Sequence, residues 1–205
     1  MFRLTRPSEQ RIAAFLATQR DLTFSYAEVG CTRGAPPPGY VLDHNRARLG
    51  TGEDTFERAI AALRAWRQSS LGWTSVHPRG APTTPGTDVA VVVRHFGFWS
   101  LNACRVLYQF DESDAGRGVR RAGFAYGTLP DHGEIGEERF TVEWHTADDS
   151  VWYDVYALSK PGHPLVRLAY PLARHLQHRF ARDSKQAMID ASAPRDHATI
   201  SAPRE

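Results

Sequence analysis

Apolar positions along this chain keep two different periods. Near the N-terminus Ile12, Phe15 and Leu16 fall on one side of a helical wheel, and Ser8 stands where an N-cap belongs, so residues 9–19 are expected as a short helix. The stretch CTRGAPPPGY then carries three consecutive prolines, which forbid helix and central strand because each removes a backbone donor. Residues 40–49 turn extended, and Thr51-Gly52 breaks the strand. In EDTFERAIAALRAWRQ the helical spacing returns at Phe56, Ile60, Leu63 and Trp66 or Arg67. Glu53 and Asp54 occupy its first turn, where the helix dipole favours acids.

Beyond Gly72 the period shortens to two. Residues 73–77 are a short strand candidate, and the Pro- and Gly-rich residues 78–87 a turn. Residues 88–95, 99–110, 120–128, 137–145 and 151–159 follow as strands, separated by FGF, DESDAGRG, LPDHGEIG and TADD. Such short connections favour an antiparallel meander. Pro161 and Pro164 close this region, and a long helix is expected over residues 165–189, with Leu165, Leu168, Leu172, Leu176 and Phe180 as one apolar stripe that has to be buried. The order is strand, helix, about six strands, long helix. It predicts an α+β fold in which a strongly curved antiparallel sheet of about seven strands wraps the C-terminal helix, with room for a cavity between them.

Composition narrows the class. With 205 residues the chain suits one domain with extensions: an N-terminal helical extension over 1–23, a domain over 24–190 and a polar, Pro-containing tail over 191–205 that is expected to be disordered. A formal net charge of +2 gives no argument for nucleic acid. The 2 cysteines, Cys31 and Cys104, are far apart and in no ligand spacing, which argues against a disulfide scaffold and a zinc cluster and fits a reducing compartment. The N-terminus lacks an unbroken apolar core with a small-residue cleavage site, and no run of about 18 apolar residues occurs, so a cytoplasmic protein without a spanning helix is expected. G-x-x-x-x-G-K-[ST], G-x-G-x-x-G and G-x-S-x-G are all absent, and no cofactor is implied.

Candidate chemistry centres on YGTLPDHGEIGEERFTVEW (126–144), where His132 is followed by Glu134, Glu137 and Glu138. In the strand that starts at Glu137, Phe140, Val142 and Trp144 share the inward parity, and Glu138 shares it with them. His132, Glu134 and Glu137 then read as hairpin and outer surface. The same test turns Asn102, Cys104, Val106, Tyr108 and Phe110 inward, with Arg105 and Gln109 outside; Phe124 and Tyr126 inward; and Val151, Tyr153, Val155 and Ala157 inward. Gly123, Ala125 and Gly127 are small on the outer face, which suits close packing there or a bend. Polar groups from Asn102, Tyr108, Tyr126, Glu138 and Tyr153 among Phe124 and Phe140 are what a small-molecule pocket requires, and a packed core with satisfied hydroxyls explains them too. Leu168, Leu172 and Leu176 would form the pocket floor. His175 and His178 stand one turn apart, but Arg174, Arg179, Arg182 and Lys185 around them would repel a cation. That pattern is a solvated basic face, able at most to make weak contact with anionic lipid headgroups, and no metal site follows. Cys104 reads as a small buried hydrophobe.

Several separate motifs resemble the DUF1990 family, also called UPF0548: SYAEVGCTRG (25–34), PPGYVLDHNRARLGTG (37–52), WSLNACRV (99–106), GFAYGTLPDHGEIGEERFTVEW (123–144), SVWYDVYALSKPGHPL (150–165) and RFARDS (179–184). The resemblance spans residues 24–186 and implies the helix-grip fold of the Bet v 1-like, or START/SRPBCC, superfamily. It supplies no catalytic residues, and the fold alone carries no activity, because that superfamily holds lipid carriers, hormone receptors, cyclases and oxygenase subunits. The leading expectation is a binding module for a small hydrophobic or amphipathic molecule held between sheet and C-terminal helix. The alternative is an enzyme of the same fold, with Glu138 as general acid or base and Tyr126 or Asn102 orienting the substrate. A third option is an interaction protein that docks through the loops of its N-terminal extension.

Overall fold

The computed structural model describes residues 2–114, 116–162 and 170–194. Its strands are β1 (Phe2–Arg3), β2 (Val41–Thr51), β3 (Thr74–His77), β4 (Asp88–Arg94), β5 (Trp99–Asp114), β6 (Val119–Thr128), β7 (Glu134–His145) and β8 (Ser150–Pro161); its helices are α1 (Glu9–Gln19), α2 (Glu53–Arg64) and α3 (Tyr170–Ser192). Seven strands form one antiparallel path in the order β2-β8-β7-β6-β5-β4-β3, and the short β1 adds beside β5. From β4 to β8 sequential strands are neighbours, as tight connections require. The edges β2 and β3 are joined in sequence by α2, so this helix crosses from one edge of the sheet to the other over the concave side.

The concave side is filled by one apolar cluster. Phe56, Ile60, Leu63 and Trp66 from α2 and its C-terminal turn meet Phe124, Phe140, Val142 and Tyr153 from the sheet, and Met188 of α3 closes the cluster. Ring centroids of Trp66 and Phe124 lie 4.8 Å apart, and those of Phe124 and Phe140 5.4 Å apart, distances at which aromatic pairs add to simple burial. A second cluster lies on the convex side, where Ile12 and Phe15 of α1 cover Ala90, Val92, Leu101 and Ala103. Ser8 caps α1 by accepting from Arg11 N–H. The other end of α1 is held by Arg105, whose guanidinium donates to the carbonyls of Gln19, Arg20 and Leu22 while it pairs with Asp88. Arg105 faces outward, as its parity requires, and is consumed there as a clamp on carbonyls that the helix end leaves without partners.

Three expectations are corrected. The alternation in β5 breaks at a register shift between Val106 and Tyr108, where one extra residue is inserted against β6. Asn102, Cys104 and Val106 keep the inward parity, but Tyr108 pairs with Ala125 and Phe110 with Gly123, both on the outer face. On α3, Leu172 is 38% exposed, whereas the same four-residue repeat is buried further on at Ser184, Met188 and Ser192, with Ala181 beside it. The packed cluster meets the helix at Phe180 and Met188, while Leu176 borders a cavity, so only the C-terminal part of the repeat is covered. Helix α3 also continues to Ser192, into the segment expected to be tail. Leu165 and Leu168 lie outside the described residues, as do residues 195–205.

Candidate functional site

Between the filled half of the interior and the N-terminal half of α3 lies a cavity of about 250 Å³. Its apolar wall includes Val91, Val93, Val155, Leu176 and Phe180. The volume is a little below the roughly 300–1,000 Å³ of pockets that enclose drug-sized ligands and several times the roughly 30 Å³ of one water.

One polar pair marks the boundary with the packed half. Tyr126 of β6 and Glu138 of β7 are opposite each other in the register, and the Tyr126 hydroxyl donates to Glu138 Oε2 at 2.6 Å. Glu138 lines the cavity, and among the described residues this is its only side-chain hydrogen bond. Burial pushes its carboxyl up to about 7, against the pull of the Tyr126 hydroxyl and with further help from the charges of Glu134 and Asp43. Burial likewise raises the Tyr126 phenol, so Tyr126 is the donor of the pair.

Other polar groups surround the same space. Asn102 donates to Val91 O at 3.2 Å and to Ser100 Oγ at 2.9 Å. Glu134 accepts from Gln177 Nε2 at 2.6 Å, and burial raises its carboxyl. His132 Nδ1 lies 3.0 Å from the Glu134 N–H and 2.9 Å from the Glu134 carbonyl, and burial lowers its imidazole to about 4, so the ring is neutral at physiological pH. Asp43 is held by the guanidinium of Arg174 through both oxygens. Sequence parity put His132 and Glu134 outside. They line the cavity because β7 begins at Glu134 rather than Glu137, and a strand extended by three residues turns Glu134 to the same side as Glu138.

Glu137 has the outer face that its parity demands, but not the solvent. It is 3% exposed beneath residues 26–32. Its carboxylate accepts from the Tyr26 hydroxyl at 2.8 Å, from Gly30 N–H, and from Thr32 through both N–H at 3.0 Å and hydroxyl at 2.8 Å. Gly127 makes this possible, since a Cβ there would collide with the Tyr26 hydroxyl. Tyr108 joins the same outer network through Thr32 Oγ1 at 2.8 Å, with Arg33 stacked on its ring at 4.0 Å. This is why Tyr108, expected in the pocket, is not there.

The remaining candidates divide by place. Asn102, Tyr126, Glu138 and Leu176 line the cavity. Phe124, Phe140 and Tyr153 point inward but pack in the filled half, where the Tyr153 hydroxyl meets Ser184 Oγ at 2.9 Å. Leu172 is on the surface and Leu168 outside the described residues. Cys104 is fully buried, and burial raises its thiol. On the basic face of α3, Arg174 holds Asp43, while Arg179 and Arg182 share Asp183. Among the described residues no group of three His, Cys, Asp or Glu is placed to hold a metal, and no helix is long and apolar enough to cross a membrane.

A curved antiparallel sheet, a long C-terminal helix across its concave side and a cavity between them define a helix-grip protein. Residues 25–187 match the family described as Domain of unknown function (DUF1990), and the chain belongs to that family. It is 39% identical over 205 residues to the UPF0548 protein of Deinococcus radiodurans, covering 94% of this chain and 99% of that one. It is 32% identical over 207 residues to the UPF0548 protein of Dictyostelium discoideum, with coverages of 93% and 95%. Among solved structures it is similar to Ara h 8.0201 at 12% identity and TM-score 0.42, over 74% of this chain and 99% of that one. It is also similar to human STARD10, at 10% identity and TM-score 0.45 over 91% and 81%.

Proposed function

We propose that this protein binds one small hydrophobic or amphipathic molecule in the cavity between sheet and α3. The observation that carries this is the cavity itself, about 250 Å³ with an apolar wall and the Tyr126–Glu138 pair at its inner end. Apolar atoms that line an empty space lose their dispersion partners on one side, and a ligand body restores them. The pair then gives the polar end of the ligand a fixed place, which is how such pockets orient what they hold. Native mass spectrometry of freshly purified protein, with titration of an apolar fluorescent dye, tests it. A co-purifying mass or a one-to-one dye complex is expected. A clean apo mass together with no dye uptake would sink the proposal. A cytoplasmic location suits a chain whose Cys31 and Cys104 are in no disulfide. Contact with anionic lipid would rest on Lys185, which donates only to the neutral Asn45 Oδ1, since the arginines of α3 already hold carboxylates.

A catalytic role has one specific observation in its favour: Glu138 titrates at about 7 and lines the cavity, as a general acid or base requires. Carbon-detected NMR of the Glu138 carboxyl checks it. A midpoint at the ordinary value of 4.5 would remove the case for catalysis at neutral pH.

A further inference from the structure

We infer that the ligand of this cavity carries its polar end as a protonated amine, a conclusion that rests on the binding function proposed above. Among the described residues the cavity is lined by Asp43, Glu134, Glu137 and Glu138 and by no lysine or arginine; the Glu137 carboxylate is taken up on the outer face, which leaves Asp43, Glu134 and Glu138. Its three histidines supply no fixed positive charge inside. His95 is taken up by Ser100 Oγ at 2.7 Å, His132 has Nδ1 against the Glu134 backbone, and His178 is at the rim. These carboxylates differ in what already satisfies them. Asp43 has the Arg174 guanidinium on both oxygens, whereas Glu134 and Glu138 each accept one side-chain hydrogen bond, from Gln177 Nε2 on Oε1 and from the Tyr126 hydroxyl on Oε2. Glu138 Oε1, beside the apolar wall and the Tyr126 hydroxyl, is thus left without a partner among the described residues in a side chain that borders the space.

A ligand that filled the apolar wall with hydrocarbon and brought a carboxylate or phosphate would set like charges together beside low-dielectric walls, and like-charge juxtaposition costs affinity. A neutral hydroxyl would satisfy Oε1 and gain no charge. An ammonium satisfies it with a charge-assisted hydrogen bond and brings the neutralising charge that no lining side chain provides. Ligand specificity here is therefore set by the absence of cationic side chains as much as by the presence of Glu138.

The test is calorimetric titration of the whole chain at neutral pH with hexylamine, hexan-1-ol and hexanoate, which share one hydrocarbon body and differ in the head. Hexylamine is expected to bind at least about tenfold more tightly than hexan-1-ol, the scale of one charge-assisted hydrogen bond, with hexanoate weakest. Glu138→Gln should collapse the ratio of amine to alcohol affinity towards one. If that variant unfolds, the ranking of the three probes on the unaltered chain decides alone. Equal binding of amine and alcohol, or tightest binding of hexanoate, overturns the amine inference and leaves the binding function standing. Uptake of the apolar dye without binding of hexylamine does the same. If neither the dye nor any of the three binds, the binding function and the inference fall together.

Discussion

Two neighbouring glutamates in β7 have opposite fates. Glu137 is buried on the outer face and given four donors; Glu138 is turned inward and given one. The inward turn of Glu138 was legible from alternation alone. The burial of Glu137 was not, because its cover comes from Tyr26, Gly30 and Thr32, over a hundred positions away in sequence, and no periodicity records a loop lying on a sheet. The environment of Glu138 has a measurable consequence. Its carboxyl titrates at about 7 in the fold against an ordinary 4.5, so between those values the folded state holds a proton that the unfolded state has lost. Stability from this group therefore falls by about 3 kcal/mol as pH rises through that window. His132 works the other way. Its imidazole titrates at about 4 against an ordinary 6.5, so it favours folding increasingly as pH rises from 4 to 6.5. The two largely cancel in the intact chain. Glu138→Gln is expected to expose the rise and His132→Asn the fall, each by about 2 kcal/mol, in urea unfolding curves measured at pH 4.5 and 6.5. Parallel pH profiles for both variants and the parent would mean that neither group is as enclosed as the structure places it.

At the scale of elements, most helices and strands followed from period and punctuation, and the departures in the strands share one cause. Parity carries forward only while the register is unbroken, so the extra residue near Leu107 reversed every later assignment in β5, and three unrecognised strand residues before Glu137 hid the inward side of Glu134. On α3 the conspicuous leucines misled for a different reason. Leu172 belongs to the same four-residue repeat as the buried Ser184, Met188 and Ser192, and only the later part of that repeat meets the packed cluster. Truncation should separate the two ends. Met188 is 0% exposed in the main cluster, so Met188→Ala is expected to cost about 2–5 kcal/mol in chemical denaturation. Leu172 is 38% exposed, so Leu172→Ala should stay within roughly 0.5 kcal/mol of the parent. A large loss at Leu172 would show that the start of α3 is buried by something other than the described residues.

At the scale of the whole molecule, sequence left cavity and packed core as alternatives, and the structure contains both, divided across the Tyr126–Glu138 pair. Alternation can say which residues face inward but not how far α2 reaches over them. Phe56, Ile60, Leu63 and Trp66 fill the space above Phe124, Phe140 and Tyr153, and stop short of Asn102, Glu134 and Glu138, where α3 alone faces the sheet. The division predicts two kinds of response to the same operation. Phe140 is 0% exposed among packed rings, so Phe140→Ala removes contacts on every side and is expected to cost about 3–5 kcal/mol. Leu176 borders the cavity and already lacks partners on that side. Leu176→Ala should therefore cost roughly 1 kcal/mol or less in the ligand-free protein, while the enlarged space takes up a bulkier apolar dye than the parent accepts. Denaturation midpoints and dye titration on the two variants read both effects. A Leu176→Ala cost as large as that of Phe140→Ala, with no gain in dye uptake, would mean that the cavity closes in solution and that the interior behaves as one packed core.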